Sequence, residues 1–261
     1  MTTATRPQAG TTGLVWLARR ETLRVSKLWT QTVLAPVISS TLFIVVFGLS
    51  LGGRIRMVEG FHYREFIVPG LVAMAMMQAA YSNNSASIFQ ARSDRYINDV
   101  LSAPMRPWQM NLGVNMGGWA RSLAIGILLL AAAIPITGVP VRHPLFLIVT
   151  VAFGMVLFGA LGIVVGIYAE TFDHHTFVNN IVILPLAFVG GVFYSVSRLG
   201  SPWHELSHVN PVFYLVNAMR YGFLGVSDAN QWLCLGVTAA LALPVYGWSQ
   251  YLFSSGRKLK A

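Results

Sequence analysis

Charged side chains make up only 10% of this 261-residue chain, whereas 55% of residues are hydrophobic and mean hydropathy is +0.60. An ordinary soluble domain carries about 25% charged residues, so the shortage excludes that class and points to the membrane. Cysteine is nearly absent. Cys234 stands alone inside the last apolar run, which leaves neither a disulfide framework nor a cysteine-based metal cluster. No aspartate or glutamate lies inside any long apolar run, which argues against a carrier driven by an intramembrane proton site. Lys27, Lys258 and Lys260 sit in no G-K-[ST] context, so there is no phosphate-binding loop and ATP hydrolysis must fall to another polypeptide. A cleavable signal is also lacking: the first 13 residues are polar, and the first apolar run is longer than a signal core and has no A-x-A-like end. That run is expected to stay in the membrane.

Uncharged length is what the chain has in quantity. Six stretches free of charge and histidine occur, at 28–53, 66–91, 122–141, 144–169, 176–197 and 229–256. Each can hold the roughly 20 residues that cross a bilayer core. The reading is all-α: a polytopic membrane protein with six transmembrane helices at about 31–53, 66–90, 114–138, 144–168, 176–197 and 229–254. An N-terminal interfacial amphipathic helix (14–29) precedes them, and an outer re-entrant hairpin lies between spans 5 and 6. One transmembrane domain, 14–256, is flanked by a disordered tail (1–13) and a basic tail (257–261). Six crossings put both termini on one side. Twelve Lys/Arg fall on that side and six on the other, which makes it the cytoplasmic one. The net charge of +9 is thereby mostly topology plus attraction to anionic lipid heads, rather than nucleic-acid binding.

From Leu14 to Trp29, Leu14, Leu17, Ala18, Val25, Leu28 and Trp29 share one arc with Arg20, Arg24 and Lys27 beside it, while Glu21 fits poorly. This is either an interfacial helix or a plain positive-inside flank. Span 1 carries Pro36 and a Ser39-Ser40-Thr41 patch. Span 2 carries Gln78, Ser82, Asn83, Asn84 and Ser85, five polar residues that should face protein or a wet cavity. The loop 92–110 is the densest mixed-charge segment. Ser93 reads as an N-cap, Asp94 suits the first turn, Arg95 and Asp99 are i,i+4, and Pro104 ends the helix. Tyr96, Ile97, Val100 and Leu101 share a face that can enter a partner's groove, although a solvated connector is the alternative. Small-residue stripes at Gly113, Gly117, Ala120 and Ala124 and at Gly159, Gly162 and Gly166 suggest that spans 3 and 4 pack on each other. The turn Glu170 to His175 is the second inner loop, with Asp173 as a candidate cap.

The outer segment 198–228 is too apolar for a free loop and is broken by Pro202 and Asn210-Pro211. It contains a literal H-E-x-x-H, His204-Glu205-Leu206-Ser207-His208. On a helix this motif puts two imidazoles one turn apart to grip zinc, with glutamate placed to activate water. The alternative function is therefore a membrane zinc metalloprotease with His204, His208 and Asp228 as ligands. Against it, the helix is pinched between Pro202 and Pro211, no glutamate follows, and Trp203, His204 and His208 equally suit headgroup anchors.

The layout, the opening FIVPGLVAM of span 2, LSAPMRPW in the inner loop, IYAETFD, and above all LSHVNPVFYLVNAMRYGFLG at 206–225 resemble the permease subunits of ABC type-2 exporters. The chain is most similar to the bacterial drug-resistance and nodulation-factor export group. The resemblance covers nearly everything from residue 14. It implies a connecting helix at 14–29, a coupling helix at 93–103 and a re-entrant hairpin at 198–228, in a bacterial plasma membrane. It implies a dimer of permeases, identical or paralogous, with two ABC ATP-binding subunits. ATP and magnesium would sit on those partners and no cofactor on this chain. Coupling would run through Asp94, Arg95, Tyr96, Ile97, Asp99, Val100, Leu101, Glu170 and Asp173. A path between protomers would explain the polarity of Ser39, Ser40, Gln78, Asn83, Asn84 and Asn179. The permeases would rock about the packing of spans 3 and 4 and release an amphiphilic cargo.

Overall fold

Backbone groups in hydrocarbon must bond within their own segment, so a chain this poor in charge is expected to be helical. The computed structural model describes residues 11–50, 57–256 and 258–259. Residues 1–10 of the tail read as disordered over 1–13, the end of span 1, Arg54, Arg56 and most of the basic tail lie outside the described residues, and helix begins already at Thr12.

Helix α1 (Thr12–Lys27) buries Leu17, Ala18, Glu21 and Val25 along one stripe, so the residue that broke the apolar pattern in the sequence is on the inward face. A π-helical turn, Thr30–Leu34, leads into α2 (Ala35–Ser50). Before the next helix comes a two-residue antiparallel ribbon, β1 (Met57–Val58) with β2 (Phe61–His62), turned by Glu59 and Gly60 at φ +50° and +82°. Then come α3 (Tyr63–Ser93), α4 (Ile97–Ser102), α5 (Pro107–Thr137) and α6 (Pro144–Tyr168). A broken run of α7 (Phe172–Phe177), a π turn (Val178–Ile183) and α8 (Leu184–Val189) follows. The chain ends with α9 (Trp203–Val209), α10 (Pro211–Leu224) and α11 (Gln231–Ser255). Helix α10 is delimited by local chemistry: the Asn210 side chain accepts from Val212 N at 2.9 Å, Pro211 sits at the first turn, and Gly225 closes the end at φ +75°.

Among the described residues, four helical stretches are long and apolar enough to cross a membrane: Thr30–Gly48, Pro107–Thr137, Pro144–Tyr168 and Gln231–Ser255. Their outward faces are apolar, with Ile38, Leu42, Ile127, Leu145, Ile148 and Leu243 exposed. The protein is thus an all-α polytopic membrane protein. Helix α3 is equally long, but its polar residues lower its hydropathy. It is shielded instead by its neighbours α2, α5, α6 and α10, and Phe66, Ile67, Val68, Leu71, Ala80 and Tyr81 are fully buried on it.

The structure departs from the sequence reading at several places. The helical run assigned to span 5 stops at Val189, not 197, because Gly190 and Gly191 (φ +84°) turn the chain back. That turn brings Val192 onto Gly70 of α3, where a Cβ would stand 2.6 Å from the Val192 carbonyl oxygen. Ser93 caps no helix: α3 runs through it, the Asp94 N–H bonds the Gln90 carbonyl at 2.9 Å, and Arg95 at φ +61° breaks the chain before α4. The second short helix takes Thr171 as its N-cap residue, and Asp173 lies within its first turn.

The two glycine stripes do not face each other. A Cβ on Gly113 or Gly117 would strike Leu17 or Glu21 of α1, at 2.8 and 2.7 Å. On Gly162 and Gly166 it would strike the backbone oxygens of Tyr81 and Ser85 in α3, at 2.3 and 2.7 Å. Gly113 and Gly117 thus admit α1, and Gly162 and Gly166 admit α3, while Gly159 meets α5, where a Cβ would stand 2.7 Å from Asn115 Oδ1.

Candidate functional site

A cleft of about 520 Å³ opens between α2, α3, α5 and the α7–α8 run. Ser39, Ser40, Gln78 and Asn179 all line it, together with Ser82, Asn180 and Arg121. At its other end stand Phe43, Phe188 and Phe193, with Phe193 stacking about 5.4 Å from both Phe47 and Phe188. Two π turns, each followed by a proline (Pro36 and Pro185), form the wall opposite α3. Proline has no N–H to give back to the preceding turn, so that turn keeps spare carbonyl acceptors. One of them, Thr32 O, accepts from Arg121 Nε at 2.9 Å. The Asn179 side chain donates to Asn180 Oδ1 at 3.0 Å, while its own oxygen is buried with no partner among the described residues.

Asn83 and Asn84 do not line this cleft. Asn84 is fully buried and donates to Asn115 Oδ1 at 3.1 Å and to Gly159 O at 3.0 Å. Asn115 in turn donates to Asn111, and Asn111 to Gln250 at 3.1 Å, so one amide chain ties α3, α5, α6 and α11. Asn83 accepts from Arg24 Nη2 at 3.3 Å through its side chain and at 3.1 Å through its carbonyl oxygen. Arg24 also pairs with Glu21 at 3.2 Å, and Ser87 donates to Glu21 at 2.8 Å. Glu21 was thus a signal: an acid at a buried helical position requires partners, and α1 is anchored by them rather than merely floating at an interface.

The coupling candidates divide by exposure. Asp94, Arg95 and Asp99 are exposed, whereas Ile97 is 2% exposed and Tyr96, Val100 and Leu101 are half-buried against Leu17, Ile88, Met110 and Ile167. The Arg20 guanidinium lies 4.4 Å from the Tyr96 ring centre. Arg92 donates to Gly166 O at 3.3 Å and Ala169 O at 3.0 Å, capping α6 from the end of α3. Glu170 and Asp173 are exposed beside it, and the buried His175 ring packs 5.9 Å from Phe89 and 4.4 Å from Phe172.

The metal set is not assembled. The His204 and His208 rings lie 4.6 Å apart and tilted by 42° on α9, but their Nδ1 atoms engage Val196 O and His204 O at 3.2 and 3.0 Å. Among the described residues, no group of three or more His, Cys, Asp or Glu could hold a metal. Asp228 is committed elsewhere. It pairs with the fully buried Arg220 at 3.0 Å, accepts from Val196 N at 3.0 Å and bonds Ser195. Arg220 further donates to Gly191 O at 2.6 Å and Asn217 Oδ1 at 3.2 Å, and lies 4.2 Å from the Phe66 ring centre. Counting Arg220 as an outer-loop charge in the sequence missed this; an arginine flanked by VNAM and YGFLG was the available hint.

A family model described as ABC-2 type transporter matches residues 12–224. The chain belongs to that family. It is a transmembrane subunit of an ABC transporter, and membership implies an ABC ATP-binding subunit as partner. The ABC-2 chain is 37% identical over 253 residues to the inner membrane transport permease YadH of Escherichia coli K12, covering 95% of this chain and 99% of that one. It is 27% identical over 235 residues to Nodulation protein J of Rhizobium leguminosarum bv. viciae, covering 86% and 88%. The corresponding protein of Rhizobium meliloti is 23% identical over 238 residues.

Proposed function

We propose that the chain moves an amphiphilic cargo (a drug, a lipid or a lipid-linked glycan) outward across a bacterial cytoplasmic membrane, using ATP hydrolysed on a separate subunit. Six crossings are counted, by α2, α3, α5, α6, the α7–α8 run and α11, with both termini cytoplasmic; the α9–α10 hairpin dips in from the outer side without crossing. Two permease protomers and two ATP-binding subunits make the working unit, and ATP and magnesium bind on the latter. The exposed face of α4, with Asp94, Arg95 and Asp99, and the turn with Glu170 and Asp173 receive the partner's movement. Tyr96, Ile97, Val100 and Leu101 pass it into the chain's own core.

The observation that carries this reading is the cleft. Polar side chains on spanning helices are costly against lipid and are kept where they meet water or cargo. Here Ser39, Ser40, Gln78 and Asn179 gather in one cavity whose opposite end is aromatic. The test is reconstitution in proteoliposomes with the partner ATPase, following a fluorescent phospholipid and a lipophilic dye. ATP-dependent movement is expected in the wild type and is expected to fall at least about ten-fold in Gln78→Trp, which fills the cleft. Undiminished movement in that variant would remove the cleft from the path.

A further inference from the structure

We propose that the cleft selects amphiphiles carrying an anionic head group, and that Arg121 is the residue that selects them. The inference rests on the transport reading of the cleft and adds the chemical class of its occupant. Among the described residues that line the cleft, Arg121 is the sole charged one. It lies seven residues beyond position 114, where the apolar part of α5 begins, about 10 Å into the span at 1.5 Å per residue.

A guanidinium at that depth is costly unless something neutralises it, and no carboxylate of the described residues is in ion-pair distance of it. Arg121 is held at one corner only. Nε donates to Thr32 O at 2.9 Å, so the plane is oriented while both terminal nitrogens find no partner among the described residues. These are the four N–H groups that recognise phosphate or carboxylate in a two-pronged way.

The surroundings order a head and a tail. Gln31, Ser82, Asn179 and Asn180 line the same cleft as Arg121, and along their own helices each lies on the inner side of Ser39, Gln78 and Leu184. Phe43, 12 residues beyond Gln31 and therefore about 18 Å along the helix, begins the aromatic end. A ligand with its anion on Arg121 lays its apolar body toward Phe43, Phe188 and Phe193. A cationic amphiphile would meet a like charge. The other nearby cation, Arg24, does not line the cleft and is held by Glu21 at 3.2 Å and by Asn83.

The test is binding of radiolabelled hexadecyl phosphate, hexadecanol and hexadecyltrimethylammonium to the purified full chain in neutral maltoside micelles. Hexadecyl phosphate is expected to bind about ten- to a hundred-fold more tightly than hexadecanol, the value of one charge-assisted pair. Arg121→Gln should erase the difference and Arg121→Lys should restore part of it. Preference that survives Arg121→Gln would overturn the inference and place it on the exposed basic face of α1. If Arg121→Gln does not fold, the wild type decides alone: equal binding of the phosphate and the ammonium overturns selection. Gln78→Trp separates the two readings. Loss of all three probes with no charge preference in the wild type refutes only the anion; probes indifferent to Gln78→Trp refute the cleft itself.

Discussion

Removing the carboxylate of Asp228 is expected to be among the most damaging single changes outside the cleft. Its partner Arg220 has a side chain only 1% exposed, Asp228 itself 3%, and the two meet at 3.0 Å. In Asp228→Ala the guanidinium stays buried with its charge uncompensated, a situation that costs about 3–5 kcal/mol. For a chain of this size 1 kcal/mol corresponds to roughly 2–4 °C, so the midpoint of thermal unfolding in detergent should fall by about 6–20 °C. Val196 N also loses its acceptor, which places the expectation in the upper half of that range. The decisive comparison is the double variant Arg220→Met/Asp228→Ala. With both charges gone the desolvation cost disappears, and Met can fill the space over Phe66, so at least half of the loss should return. Tryptophan-fluorescence melting of the four proteins gives the cycle. An Asp228→Ala shift below about 2 °C, or a double variant that loses the sum of the singles, would refute the claim that this pair holds the outer end together.

Three further outcomes follow from other sites. Gly162→Val should lower the melting midpoint by at least the roughly 1–3 kcal/mol of an overpacked core, since the group it strikes is the Tyr81 backbone rather than a yielding side chain; an unchanged midpoint on the same melt would disprove that close approach. Charge reversal at Asp94 and Asp99 should leave stability within about 0.5 kcal/mol while separating ATP hydrolysis from transport, whereas Ile97→Asp should destabilise the fold by burying an unpaired charge. Paired ATPase, transport and melting measurements distinguish the two faces of α4. Burial pushes His175 below the ordinary histidine value of 6.5, so the unfolded chain takes up the proton more readily than the folded one. Stability from this site is complete above that value and declines as pH falls through it; melting at pH 7.5 and 5.5 should show a smaller acid loss in His175→Phe.

Long uncharged runs and proline and glycine punctuation made the helical, membrane-embedded character legible, because both are properties of single segments. What a segment packs against is not such a property. The Gly159-Gly162-Gly166 stripe announces a close approach but carries no mark of which helix arrives: α3 meets Gly162 and Gly166, while Asn115 and Trp119 of α5 reach Gly159. Polar residues in span 2 showed the same ambiguity: Gln78 faces the cleft while Asn83 and Asn84, barely more than a turn away, complete networks with α1, α5 and α6. Helical periodicity separates faces but does not say which face is wet. Arg220 and Glu21 were read by position in a loop or a flank, and their burial follows only from partners 8 and 66 residues away, Asp228 and Ser87.

The backbone contacts of α3 divide the molecule mechanically. At Gly162 and Gly166 the main chains of α3 and α6 touch without side chains between them, and the Arg92 bonds to Gly166 and Ala169 fasten the same pair at its end. Such a junction can neither slide nor widen without voids, so α3 and α6 behave as one stiff post. Across the cleft α3 faces α2 and the α7–α8 run; a π turn leads into the first and another interrupts the second. One wall of the cleft therefore belongs to a main-chain-packed pair, and the wall facing it follows two helical turns of wider pitch.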